Sequence, residues 1–440
     1  MIAVFLDAVS ESEQWIRWAA AQSGVSFSPQ ADGADWVWMS IPSVLSAWKS
    51  RARFYKKQGI KIVCGGHASL TPSGLWESGL FDAIVVGEGG NFVRRWGRDG
   101  IGAALSLPNV IREGHLCVRG DFDFDFDHPP LPRPRKGGRI DDVYIISRGC
   151  KYKCFFCGIG WGTVYRGCTH EELGKKLAEA RVRQRKVWWC SNDLSEYPEL
   201  RTFRATAAWS FRFQTIPEGL SGAIRIGVEG VSERLRVAVG KPIGTQVLAD
   251  WVARNTNTNV IKLFMIAGLP GETDTDWEEF RDFVGGLSGL RGHRISISFM
   301  AFVPYPSAPL GLLPIDDDYW NRFKAFEDWF YRNAWSKYVQ VLRPAAPRGR
   351  MSQAMKVVNA TEEEIRRGWL GAEKPRDWAY IIYPSSSQIR AALAYIHRIG
   401  VDVKIAPTAG QLELTEAGDA RQAGLYSMRQ GGGGGSPYHS

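Results

Sequence analysis

No segment of the 440-residue sequence approaches the roughly 20 uninterrupted apolar residues that span a bilayer, so no membrane partner is expected. Glycine and proline carry no sustained period, which excludes a collagen-like or low-complexity chain, and no internal repeat is visible. The opening segment, MIAVFLDAVSESEQ, lacks a basic leader and meets acidic residues at once, so it reads as a first strand rather than a signal peptide. A soluble, cytoplasmic protein is the expectation. A paired set of cysteines is missing too. The seven are Cys64, Cys117, Cys150, Cys154, Cys157, Cys168 and Cys190, and an odd number without a leader argues against a disulfide framework.

What is present points to a folded, multidomain chain. Its 18 Trp, 21 Phe and 14 Tyr need burial, which rules out general disorder. At roughly 150 residues per domain, two or three domains are expected. The net charge of +9 is spread along the chain; it permits a nucleic-acid partner without demanding one.

Residues 1–120 alternate short apolar runs (IAVFLDA, DWVWMSI, IKIVCGGH, FDAIVVGEG) with amphipathic stretches. The first such stretch has Ser10 as its cap and Gly24 at its end. This rhythm predicts a parallel sheet with helices on both faces. Gly65–Gly66 and Gly87, Gly89 and Gly90 follow strands, at the edge where ligands approach open α/β sheets. Residues 121–142 break the rhythm: DFDFDFD would set like charges on one face, and HPPLPRPRKGG is stiff. An acidic metal site is one reading, and composition favours a linker.

From 143 to 312 the strand candidates are VYIIS, KVWWCS, AWSFRF, AIRIGVE, NVIKLFMIAG and ISISFMAF, too few for an eight-unit barrel but enough for a partial (β/α)6 barrel. Residues 313–430 form a smaller α+β region. Its first helix carries an aromatic stripe that reads as core rather than as a platform for bases, and a small β-α-β follows. Residues 431–440 form a flexible tail in which His439 is inert. The fold class is therefore α/β, with a smaller α+β region at the C-terminal side.

The chemical signal is SRGCKYKCFFCGIGW at 147–161, where Cys150, Cys154 and Cys157 form CxxxCxxC directly after an apolar strand. A zinc site would want a fourth ligand, such as Cys168 or His170. A thioredoxin-like pair would leave Cys150 unexplained. Core cysteines would not cluster beside glycine and charge. Iron–sulfur ligation by three thiolates leaves one iron of a cube open to a small molecule. The flanking Arg148–Gly149 and Phe156 favour this last reading. Cys168 and Cys190 read as plain thiols.

In these residues the sequence resembles the radical S-adenosylmethionine (SAM) enzymes. The resemblance continues in RIGVEGVSERLRVAVGKP (225–242), KLFMIAGLPGE (262–272) and SFMAFVPYPSAPL (298–310), similar to the family's fourth, fifth and sixth strands in order. It implies that Cys150, Cys154 and Cys157 hold a [4Fe–4S] cluster, that SAM chelates its open iron, and that reductive cleavage gives a 5′-deoxyadenosyl radical. It also places Phe156 near the adenine, and Ser191, Asn192 and Asp193 at the amino-group motif, although the usual Gly-Gly-Glu is absent. Glu229 and Ser232 fall at ribose or carboxylate contacts, with a helix cap as the plain alternative for Ser232. Gly268, Leu269 and Pro270 fall where backbone approaches adenine. An electron donor such as flavodoxin or ferredoxin is implied.

Residues 1–120 resemble the Rossmann-like cobalamin-binding domain that precedes many such enzymes, through VCGGHASLTP and FDAIVVGEGG. The family's Asp-x-His-x-x-Gly is absent, and His67 lies on a different loop and reads as bonded to backbone. The implied function is a radical SAM enzyme, with a cobalamin-dependent methylase of an unactivated carbon as the leading form and bound cobalamin expected without a histidine ligand. Cobalamin-independent oxidation, rearrangement or cyclisation, including modification of a nucleic-acid base, is the enzyme alternative. A metal-bearing binding module is the non-enzyme one. The small-molecule or macromolecular substrate is not specified by these motifs.

Overall fold

The computed structural model describes residues 4–8, 10–41, 46–66, 75–76, 78–114, 124–134, 137–203, 209–213, 222–255, 258–290, 294–305, 308–313, 315, 317–335, 337–351, 386–400, 412–414 and 420–422. The expectations for Cys117, His67, His439, the tail and both strands of the C-terminal β-α-β lie outside the described residues.

The first region contains β1 (Val4–Ala8), α1 (Ser10–Gln22), β2 (Trp36–Ser40), α2 (Ser46–Lys57), β3 (Lys61–Gly65), β4 (Ala83–Val85), α3 (Gly90–Asp99), α4 (Ile101–Leu105) and β5 (Val110–Arg112). The sheet order is β1-β2-β3-β4-β5, parallel through β4, with β5 antiparallel. Strand alternation sends Trp36, Trp38 and Val63 to one face, where they meet Trp15, Ile16, Phe92 and Val93 of α1 and α3. Val37, Met39, Ile62 and Cys64 point to the other and meet Trp48, Ala52 and Tyr55 of α2. Both faces are covered, as the apolar runs require.

Residues 124–130 do not hang free. Phe124 and Phe126 are buried, and Phe124 stacks on Trp15 at 5.1 Å between ring centroids. The alternation in DFDFDFD thus buries phenylalanines while Asp127 faces water. The proline-rich stretch then forms β6 (Leu131–Pro134), antiparallel to β7 (Ile140–Ile145). Because β6 is an edge strand, its two prolines remove no ladder bond from a third strand.

Next come β8 (Ser147–Arg148), α5 (Gly158–Gly162), β9 (Arg166–Gly167), α6 (His170–Arg183), β10 (Val187–Cys190), β11 (Trp209–Phe211), β12 (Gly222–Glu229), α7 (Glu233–Ala238), α8 (Thr245–Arg254), β13 (Thr258–Ala267), α9 (Asp274–Ser288) and β14 (Arg294–Ala301). The chain continues through α10 (Tyr319–Asn333), β15 (Val339–Leu342) and α11 (Ser386–Ile399). All six strands expected between 143 and 312 are present. They lie in two sheets, β10-β7-β6 and an all-parallel β11-β12-β13-β14-β15, and among the described residues no ladder joins β10 to β11. The guanidinium of Arg225 on β12 nevertheless sits 5.3 Å from the ring of Trp188 on β10, so the less-buried faces of the two sheets look at each other.

The aromatic stripe of α10 is core, as its spacing predicts. Phe323, Phe326 and Phe330 are buried, and Phe323 and Phe326 pack with Trp277, Phe280 and Phe299 from α9 and β14. The turn after β12 is held by Arg236, 2% exposed, which donates to the carbonyls of Ile243 (2.7 Å), Gly230 (3.2 Å) and Val231 (3.4 Å). Replacing Arg236 by Met leaves three buried carbonyls without that donor. Urea unfolding of Arg236→Met should show a loss of about 3 kcal/mol or more, and a loss within error of zero would contradict this role.

Candidate functional site

The two-residue ladder of β8 and β9 clamps the base of the loop that carries the three cysteines. Gly149 opens it at φ +70°, and a Cβ there would collide with the Val164 carbonyl, so only glycine fits this turn. Backbone bonds stitch the loop to its surroundings: Phe155 N to Val239 O (3.1 Å), Leu310 N to Phe155 O (2.9 Å) and Cys157 N to Cys154 O (3.0 Å). Trp161 Nε1 donates to Cys154 O at 3.1 Å.

Burial pushes the Cys150 and Cys157 thiols above their ordinary range. The backbone of Tyr152, and of Gly160 and Ile159, works against that shift. Cations stand beside the thiols. Arg212 lies with Nη1 3.4 Å from Cys154 Sγ, donates to Gly240 O at 2.8 Å and stacks over Tyr152 at 3.9 Å. Lys241 lies 5.9 Å from the Phe156 ring. Among the described residues no set of three or more His, Cys, Asp or Glu side chains converges as the ligands of one ion. A cubane takes one thiolate per iron, so its ligands stand farther apart than those of a single ion. Three thiols on one anchored loop, with two cations nearby, suit such an anionic group. Cys168 is buried, and its thiol is pushed up to about 11 by burial, which keeps it a neutral thiol; Cys190 is exposed.

Ser191, Asn192 and Asp193 are brought to the loop, where they bond to protein. Ser191 Oγ accepts from Ser147 Oγ at 2.7 Å, Asn192 Nδ2 donates to Gly149 O at 2.5 Å, and Asp193 Oδ2 accepts from Tyr152 at 3.0 Å. Glu229 ends β12 in the left-handed region at φ +74°, a strained placement for a side-chain-bearing residue. Lys241 Nζ pairs with it at 2.7 Å and donates to Gly227 O at 2.9 Å, and a Cβ on Gly227 would displace both partners. Glu229, Lys241 and Phe156 therefore form one group at the strand end. Ser232 lies apart from them: 1% exposed, it caps α7 through Leu235 N and bonds Asp276 at 2.5 Å. The structure gives it the cap role.

Gly268, Leu269 and Pro270 are buried at the end of β13. Gly268 has φ +82°, with Tyr319 and Arg350 close to where a Cβ would stand, and Tyr395 of α11 donates to Pro270 O at 2.8 Å. Glu272 beneath them accepts from Gly268 N (2.9 Å) and Trp277 Nε1 (2.8 Å).

Sequence reasoning missed Glu88, Arg212 and Lys241. Glu88, just after β4, accepts from Arg148 Nε and Nη2 at 2.9 Å each, while Arg166 Nη2 lies 3.5 Å away. Its place in a glycine-flanked turn was the available signal.

No family model and no curated protein matches the chain. A solved structure of the cobalamin-dependent S-adenosylmethionine radical enzyme OxsB, with aqua-cobalamin and S-adenosylmethionine bound, superposes with TM-score 0.50 at 14% identity, covering 66% of this chain and 52% of that one. The selenomethionine-labelled apo form gives 0.49 at 14% identity, with the same coverage of both chains. The chain spans about half the length of these structures, and the likeness is one of fold.

Full burial pushes the Glu272 carboxyl up to about 7 from 4.5. Between those values the unfolded chain has lost this proton and the folded chain keeps it, so stability falls as pH rises through the window, then levels above about 7. Relative to Glu272→Gln, the parent should lose about 3 kcal/mol between pH 4.5 and 8 in urea titrations. Parallel pH profiles for the two would contradict it.

Proposed function

We propose that the chain is a radical SAM enzyme in which Cys150, Cys154 and Cys157 hold a [4Fe–4S] cluster. The observation that carries this reading is the anchored three-cysteine loop beside Arg212 and Lys241, in a fold shared with a protein described as a SAM radical enzyme. When bound, the cluster supplies one electron to SAM, whose cleavage gives methionine and a 5′-deoxyadenosyl radical that takes hydrogen from substrate. The three thiols lose their protons on loading, and Arg212 and Lys241 offset the charge that results. Phe156 and the Glu229–Lys241 pair, grouped at one strand end, would orient ribose and adenine, and Gly268–Pro270 would border the adenine. Ser191, Asn192 and Asp193 act first as holders of the loop. A flavodoxin- or ferredoxin-type donor would supply the electron.

The domain order proposed is a cobalamin-binding-type domain, a partial (β/α)6 barrel and a substrate-shaping C-terminal region. Methyl transfer through cobalamin is the form proposed first, on a fold shared with a structure described as a cobalamin-dependent enzyme. A specific feature favours the corrin-free alternative. Gly66 is packed against the Ile41 carbonyl and Gly89 against Trp38, and Glu88 pairs with Arg148, so among the described residues these glycines serve protein contacts. No helix among the described residues is long and apolar enough to cross a membrane.

Anaerobic reconstitution with iron analysis and SAM-cleavage assay tests the assignment. Cys154→Ala should lose most iron and all cleavage, while Cys168→Ala should be nearly silent. Cleavage retained in Cys154→Ala would sink it. A corrin spectrum after reconstitution supports the methylase, and cleavage without retained corrin moves the function to oxidation, rearrangement or cyclisation.

A further inference from the structure

On β12, Ile224, Ile226 and Val228 are fully buried, so Arg225, Gly227 and Glu229 occupy the opposite, less-buried face. Arg225 is in register with Lys262 on β13, and Lys262 with Ser296 on β14. In-register residues of parallel strands point the same way, so a guanidinium and an ammonium stand side by side, with backbones about 4.8 Å apart. Like charges in such neighbouring positions destabilise a sheet. Among the described residues neither cation has an ion pair; the recorded contact of Arg225 is the Trp188 ring.

The surroundings hold Arg225 in place. Trp188 donates through Nε1 to Asp141 at 2.8 Å, which fixes the ring, and Arg133 also stacks on it at 4.9 Å. A guanidinium held against an indole keeps its charge and its forked donors while losing freedom. Both cations are half-buried and lie on the face that the two sheets turn toward each other. Arg225 precedes Glu229 by four residues, about 13 Å of strand.

We propose that the row Arg225–Lys262–Ser296 binds an anionic group of the substrate, a phosphate or a carboxylate, about 13 Å from the strand ends where the cysteine loop sits. This rests on the reading that the facing sheet surfaces hold the substrate of the radical. It defines the substrate class: an organic anion long enough to reach from the row toward the Glu229–Lys241 pair. The bound anion removes the repulsion between the cations, and the hydroxyl of Ser296 supplies a further donor.

Titration calorimetry on the reconstituted full chain, with phenyl phosphate, benzoate and neutral benzyl alcohol as probes, tests the site. One or both anions should bind while benzyl alcohol does not, and the tighter anion names the group. Lys262→Met should weaken anion binding by about tenfold or more. Lys262→Glu gives Arg225 a partner; it should abolish anion binding and raise the Tm of the ligand-free chain. Anions that bind no better than benzyl alcohol, or bind Lys262→Glu as well as the parent, overturn the proposal, as does a Lys262→Glu chain that melts below the parent. SAM cleavage in the same preparations separates the two readings. Cleavage without anion binding removes this site alone, and anion binding without cleavage leaves the site and removes the radical chemistry.

Discussion

The bidentate pair between Glu88 and Arg148 joins the edge of the first sheet to a residue two positions before Cys150. Both bonds are 2.9 Å, and the carboxylate side chain is 12% exposed and that of Arg148 39%, so the carboxylate end of the pair is the part shielded from the screening that weakens surface ion pairs. Arg166 approaches the same carboxylate from β9, the partner strand of Arg148. One acidic side chain thus engages both strands at the base of the cysteine loop. A lysine at 148 could not reproduce the fork, because two parallel N–H bonds need a planar guanidinium. Arg148 also lies 5.0 Å over Phe124, so the segment between the two sheets packs on the same contact.

With the base fixed, the rest of the loop is secured from other sides. Asn192 and the Tyr152–Asp193 bond hold it from the end of β10. Val239 and Leu310 hold the Phe155 backbone, and Arg212 bridges Cys154 to Gly240. These anchors come from elements distant in sequence, so protein contacts alone position the loop. That preorganisation suits chemistry in which a reactive intermediate must meet one carbon and no solvent. The strained Glu229 belongs to the same arrangement: its ion pair with Lys241 offsets the unfavourable backbone of a left-handed residue.

Much of this was legible in the sequence. The apolar runs at 143–310 became strands because β-branched and aromatic residues in short blocks have few other ways to be buried. The stripe of α10 was readable because helical spacing puts Phe323, Phe326 and Phe330 on one face. Local signals did not reveal pairings made across long separations. DFDFDFD looked like a linker because its aspartates dominate the composition, yet Phe124 and Phe126 dock it against the first domain. Leu131–Pro134 read as part of a stiff linker, yet it pairs with β7 at the edge of a sheet. Arg212, Lys241 and Glu88 resemble any other charge beside a strand end, and only the folded chain shows which of them meet the cysteine loop. Ser191, Asn192 and Asp193 were singled out by their position at a strand end, while their bonding to the loop depends on Ser147, Gly149 and Tyr152, far away in sequence.

The central claim is that the anchored cysteine loop carries an open-site cluster that binds SAM. Electron paramagnetic resonance of the anaerobically reconstituted and reduced chain, with and without SAM, tests it most directly. The account predicts a reduced [4Fe–4S] signal that changes when SAM is added, because SAM coordinates the iron left without a protein ligand. A chain that assembles no such cluster, or one whose signal is indifferent to SAM, would contradict it.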